Sequence, residues 1–179
     1  MLALTRQCCR LPQVVGLSLE ESGAALLLPY MAPFAGCLAS GQVSDWLIRS
    51  RGWKVVRVRK TMQATSDIML SLCVFYFVVT PAPTARAFTT IMAIGGFFKA
   101  VHIGGYWTNI VDIGPRYAGP LMGISNTVAA LPGVFANLLT GYILEVTGSW
   151  SLVFLMPCVL LLIGCATFVT FARGDVVFR

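Results

Sequence analysis

Charge is what this sequence has least of. Thirteen Lys and Arg with seven Asp and Glu make up 11% of its 179 residues, where soluble domains carry roughly 25%. So few charges cannot cover a globule of this size. At 57% hydrophobic and mean hydropathy +0.80, the chain needs lipid around its excess apolar surface. Histidine occurs once, and no Cys/His spacing suits a metal. Nor is there a nucleophile elbow or a water-facing catalytic constellation. These gaps argue against an enzyme, a metal centre or a bound cofactor. The six cysteines are not a disulfide framework: Cys37, Cys73, Cys158 and Cys165 sit inside apolar runs as small hydrophobes. Cys8 and Cys9 are adjacent and lack placed partners. Nor do the first fifteen residues look like a secretion signal, since Arg6, Arg10 and Pro12 interrupt them.

What the chain does have is long apolar runs. About 20 residues at 1.5 Å rise cross the hydrocarbon core, and five segments qualify: about 23–44, 61–80, 86–110, 118–145 and 150–172. The expected architecture is an all-α membrane protein with residues 1–22 as a non-cytoplasmic lead-in. In that lead-in Ser18 and Glu21 fit a capping box. Residues 174–179 form a short tail. The formal charge of +6 is concentrated between the first two runs, where Asp45 to Lys60 holds Arg49, Arg51, Lys54, Arg57, Arg59 and Lys60. Lodged between spans, this is a topogenic loop and not a nucleic-acid surface, because cytoplasmic loops collect Lys and Arg. With it inside, Arg116, Arg173 and Arg179 also fall on the cytoplasmic side, and the C-terminus is cytoplasmic.

The runs differ in kind. The second and fifth are nearly uniform in large apolar residues, as lipid-facing helices are. The third carries Gly95, Gly96, Gly104 and Gly105 with Lys99, His102, Tyr106 and Asn109. The fourth repeats Gly119, Gly123, Gly133, Asn137 and Gly141 at small-xxx-small spacing. Those two are expected to face protein or a cavity.

Residues 105–133, Gly-Tyr-Trp-Thr-Asn-Ile-Val-Asp-Ile-Gly-Pro-Arg-Tyr-Ala-Gly-Pro-Leu-Met-Gly-Ile-Ser-Asn-Thr-Val-Ala-Ala-Leu-Pro-Gly, carry a recognisable pattern. It resembles the vesicular glutamate and nucleotide transporters, sialin and plastid phosphate transporters, a branch of the major facilitator superfamily. The matching positions are Asn109, Asp112, Ile113, Pro115, Tyr117, Ala118 and Gly119, then Gly123, Ile124, Ser125, Asn126 and Thr127, with Gly114 where that family usually has Ala. Gly41-Gln-Val-Ser-Asp45 followed by Val58-Arg-Lys60 is similar to the superfamily's cytoplasmic loop motif, and Thr147-Gly-Ser-Trp150 to its lead into the last helix. The resemblance implies that the five runs are the eighth to twelfth helices of a twelve-helix carrier. It further implies a small anionic substrate, a coupling cation (proton or sodium), and a missing N-terminal half supplied in cis or in trans. A non-transporting chain that associates with a full-length carrier is the competing expectation.

Lys99 and His102 are the sharpest site candidates. A charge at mid-membrane costs about 2.5–3.5 kcal/mol on insertion scales, and residues three apart share a helix face. They can attract an anion or carry a proton; the plainer reading pairs Lys99 with Asp67 or a carbonyl and leaves His102 an interior donor. Tyr106 and Asn109 extend that face toward a substrate or a neighbouring helix. Gly41 and Asp45 with Arg49, Arg59 and Lys60 are expected to form a cytoplasmic gate, and Asp112 with Arg116 a second one. Asn126 and Asn137 are expected to cross-link helices. Asp67, near the start of its run, is expected to reach the interface.

Overall fold

The computed structural model describes residues 19–80 and 83–174. The expected Ser18 cap, Arg6, Arg10, Cys8, Cys9 and Arg179 lie outside the described residues, as does most of the tail. Among the described residues six helices follow in order: α1 (Leu19–Arg49), α2 (Val55–Val79), α3 (Ala85–Val101), α4 (Tyr106–Ile113), α5 (Ala118–Thr147) and α6 (Trp150–Phe171), with 3₁₀ turns at His102–Gly104 and Pro115–Tyr117. No strand occurs among the described residues. Among the described residues, four spans are long and apolar enough to cross a membrane: α2, α5 and α6, α5 being counted from Pro115, and α3 with α4 taken as one. The expected first span lies within α1, whose 31 residues exceed the roughly 20 that a crossing needs. Pro29 and Pro33 lie inside it.

The basic stretch is mostly helical. Asp45 to Arg49 close α1, and only residues 50–54 form the connection. Val55 to Lys60 contain no breaker, so α2 begins at Val55 instead of residue 61. The carbonyl of Lys54 accepts from the amides of Arg57 (2.9 Å) and Val58 (3.2 Å). This earlier start has a consequence for Asp67. It sits buried in the middle of α2, and not near the start of its helix.

Helix α2 is the hub, against the expectation that its run faces lipid. It packs on α6 and α3, and Val58 and Met62 form a core with Val101, Leu47, Trp53, Phe97 and Phe98. The reason is a polar stripe at helical spacing. Gln63, Ser66, Asp67 and Ser71 are all buried, while Ile68, Leu72, Phe75 and Val79 look outward. Serine hydroxyls join the helices: Ser66 Oγ donates to Phe98 O (2.8 Å), Ser71 Oγ to Cys158 O (3.4 Å), Ser40 Oγ to Val101 O (3.2 Å). Interhelical bonds of this type average about 0.6 kcal/mol, with a maximum near 1.7. Replacing Ser66 by Ala is therefore expected to lower stability by about 0.6–1.7 kcal/mol in an SDS unfolding titration; no change would place this bond outside the folded bundle's stability.

Two departures concern the Gly-rich runs. The third expected run is not one continuous helix. α3 starts where the Thr84 hydroxyl caps Ala87 N (3.3 Å) and ends at Val101, and after the 3₁₀ turn Gly105 (φ −93°, ψ −96°) redirects the chain into α4. The fourth run, α5, touches α4 and α6 only lightly. A Cβ on Gly119, Gly123, Gly133 or Gly141 would meet nothing within 4 Å, so among the described residues these glycines form no packing seam. Asn137 bonds its own helix at Gly133 O (3.0 Å), and Asn126 is exposed; neither cross-links helices among the described residues. Ile124, Val128, Leu131, Phe135 and Leu138 extend the exposed apolar face.

Candidate functional site

The break between α3 and α4 leaves backbone groups without helical partners, and α2 supplies them. Gln63 Oε1 accepts from Tyr106 N (3.1 Å), satisfying one of the orphan donors of a helix start. The fit is close. A Cβ on Gly105 would lie 2.8 Å from Gln63 N and 2.9 Å from its Oε1, so a residue without one is required there. At the other end of the break, Arg59 Nη1 donates to Gly104 O (3.3 Å).

Gln63 also donates through Nε2 to Asp67 Oδ2 (2.7 Å), and the other carboxylate oxygen lies 3.9 Å from His102 Nδ1. The His102 ring stacks loosely on Tyr106 at 5.5 Å, and the Tyr106 hydroxyl bonds Ser125 of α5. These groups form one wall of an open cavity of about 640 Å³, closed opposite by Pro157, Leu160, Leu161, Gly164 and Phe168 of α6. An apolar chamber with few convergent polar groups is the usual form of a small-molecule site.

Of the candidates read from sequence, His102 and Tyr106 come together in this cavity. Lys99 does not; it is exposed in the last turn of α3, and Asp67 is engaged by His102 and Gln63 instead. Asn109 is buried in α4, its Oδ1 without a hydrogen-bond partner. Asp67 and Gln63 were the groups that the sequence reading did not place here. The signal for them was the four-residue step from Gln63 to Asp67, visible once α2 starts at Val55.

At the end of the bundle that carries the basic connection, Arg59 and Asp112 form an ion pair (Nε–Oδ2 2.7 Å) with side chains only 9% and 24% exposed. Sequence had set these two in separate clusters; the fold joins them across 53 positions. Asp45 and Arg49 are exposed and form no ion pair among the described residues. Gly41 is open, Lys60 half-buried and Arg116 exposed. Arg51 and Arg57 lie over Trp46 and Trp53 at 4.8 and 5.8 Å.

These features define a multi-pass helical membrane protein with a polar-walled cavity at a helix break and an ion pair at one end. No family model matches the chain, but curated relatives do. It is 36% identical over 93% of its length to a chloroplastic protein of Oryza sativa subsp. japonica described as a probable anion transporter, covering 28% of that protein. It is 37% identical over 91% to the chloroplastic ascorbate transporter of Arabidopsis thaliana, covering 29%. It is 36% identical over 83% to a voltage-gated purine nucleotide uniporter of Mus musculus, covering 33%. Over most of its length the chain is similar to this group of anion transporters, the one its motifs resemble, and it spans about three tenths of the length of these relatives.

Proposed function

We propose that the chain is the C-terminal part of a secondary active transporter for a small organic or inorganic anion, coupled to an ion gradient and working by alternating access. The observation that carries this reading is the interrupted α3–α4 helix, with its polar groups lining a chamber midway along α2. Discontinuous helices at mid-membrane are where carriers place their substrate and ion sites. In this reading His102, Tyr106 and Asn109 contribute to substrate or coupling contacts, His102 and Tyr106 from the cavity wall and Asn109 from its buried place in α4. Exposed Lys99 draws the anion toward the opposing half. Arg59 and Asp112 hold the cytoplasmic end closed, with Asp45, Lys60 and Arg116 at its rim and the C-terminus cytoplasmic.

The helices that complete the pathway come from the N-terminal part of the carrier, in cis or in trans. The open, Gly-bearing face of α5 supports this, because small residues admit a second backbone closely. The same face favours the competing reading, a chain that binds a full-length carrier without transporting. Uptake of phosphate, ascorbate, glutamate, sialate and nucleotides into liposomes separates the two. Transport is expected when the chain is reconstituted together with the N-terminal helices of a relative, and not with either part alone. Co-insertion of both parts without uptake of any of these anions would overturn the transport reading.

A further inference from the structure

One buried acidic group remains without a role in this account. Asp67 is a carboxylate at the centre of a membrane-spanning helix, 5% exposed, and such a group is rare and costly unless it is compensated. Among the described residues, the chain's single histidine stands nearest it as an ion-pair partner. The separation is informative. At 3.9 Å, His102 Nδ1 and Asp67 Oδ1 stand beyond hydrogen-bond length, so no proton is held between them in this arrangement. Yet they are near enough that a proton on the imidazole would be attracted directly. His102, with a side chain 30% exposed, opens to the cavity, while Asp67 lies behind it.

We infer that Asp67 and His102 together form a proton-binding site within the membrane, and that filling it admits the anion to the cavity. A hydronium ion in the cavity gives a proton to the lone pair of His102 Nδ1: its O–H bond breaks, neutral water is left, and the new N–H bond points at Asp67 Oδ1. Nothing is oxidised or reduced, and the net charge of the pair goes from −1 to zero. An empty site leaves an uncompensated carboxylate on the cavity wall facing Leu160, Leu161 and Phe168, which repels an anion; the filled site does not. The change reaches the broken helix directly. Asp67 Oδ2 is bonded to Gln63, and Gln63 holds the first amide of α4, so drawing the carboxylate toward His102 alters the grip on Tyr106.

Few other groups face the pair. From α3, Lys99 lies one turn before His102 and acts on it electrostatically. From α4, Tyr106 faces it with its hydroxyl on Ser125 of α5, and from α6, Cys165 senses Asp67. Farther along α2, Arg59 is engaged by Asp112. α1 packs against α3 through Ser40 and brings no charge to the pair among the described residues.

The admission of the anion rests on the transport reading above; the proton site does not, and the test separates them. With one histidine, ¹⁵N-histidine labelling gives a single imidazole, so the full chain in lipid nanodiscs can be titrated by NMR with no uptake assay. The imidazole is expected to titrate reversibly. In Asp67→Asn the fraction protonated at a given pH should fall, equivalent to about a tenfold or greater loss of proton affinity, as for removal of an opposite charge within about 4–6 Å. Lys99→Ala should change the fraction in the opposite sense. Superimposable curves for wild type and Asp67→Asn overturn the site. If Asp67→Asn fails to fold, Asp67→Glu and the infrared carboxyl band of His102→Gln read the same pair: the protonated-carboxyl band must appear at a different pH than in wild type, and an unmoved band overturns the proposal. Titration as expected with uptake independent of pH would keep the proton site and remove its control of the anion.

Discussion

Arg59→Met is expected to destabilise the bundle by about 3–5 kcal/mol, the usual cost of removing one partner of a buried ion pair. The guanidinium makes two bonds at once, Nε to Asp112 Oδ2 at 2.7 Å and Nη1 to the Gly104 carbonyl at 3.3 Å. Methionine keeps much of the apolar stem and removes both donors. It leaves a carboxylate in α4 without its cation and a carbonyl at the helix break without a donor. Most of the loss is the stranded charge, so Arg59→Met with Asp112→Leu should recover the larger part, and the double-mutant cycle isolates the coupling. Lysine should not rescue fully, because a point ammonium cannot reproduce the planar fork that reaches both acceptors. SDS unfolding titrations of the four variants check this. A single Arg59→Met variant within about 0.5 kcal/mol of wild type, the range of unremarkable surface changes, would mean the pair does not clamp α4 to α2.

The helical bundle was legible because its signals are local. Long apolar runs and the Gly-Ser before Trp150 each act within a few residues. The site was legible only in part, because its geometry depends on distant partners. Gly104 and Gly105 inside an apolar run read as packing glycines, and nothing nearby says that the helix breaks there. The break is stabilised by Gln63, 43 positions away, and by Arg59, 45 positions away. Lys99 drew attention over Asp67 because a basic residue deep in a run stands out, whereas Asp67 seemed close to the basic connection. Its depth became visible only when Arg57, Arg59 and Lys60 proved to lie inside α2. The glycines of α5 show the converse: their spacing predicts a close neighbour, and among the described residues they have none.

At the crossing of α1 and α3 the same residue type does have a neighbour, and the second large effect is expected there. A Cβ on Gly36 would overlap the Phe97 carbonyl oxygen and lie 3.0 Å from Phe97 C and 3.1 Å from Ala100 Cβ. The obstacle is backbone, so no rotamer change relieves it and the helices must separate. Gly36→Ala should cost about 1–3 kcal/mol by overpacking, and Gly36→Val more. Alanine's better helix propensity, worth about 1 kcal/mol over glycine, offsets part of the first figure. Valine has no comparable advantage. One turn on, Ser40 Oγ donates to Val101 O, and separation of the helices lengthens that bond as well, so the two losses are coupled. Gly41→Ala on the same helix is the control, since a Cβ there meets nothing within 4 Å; it should be neutral or slightly stabilising. If Gly36→Val and Gly41→Ala unfold at the same SDS fraction, α1 does not pack on α3 through Gly36. The position of Val101, and with it the start of the helix break that carries His102, would then need another support.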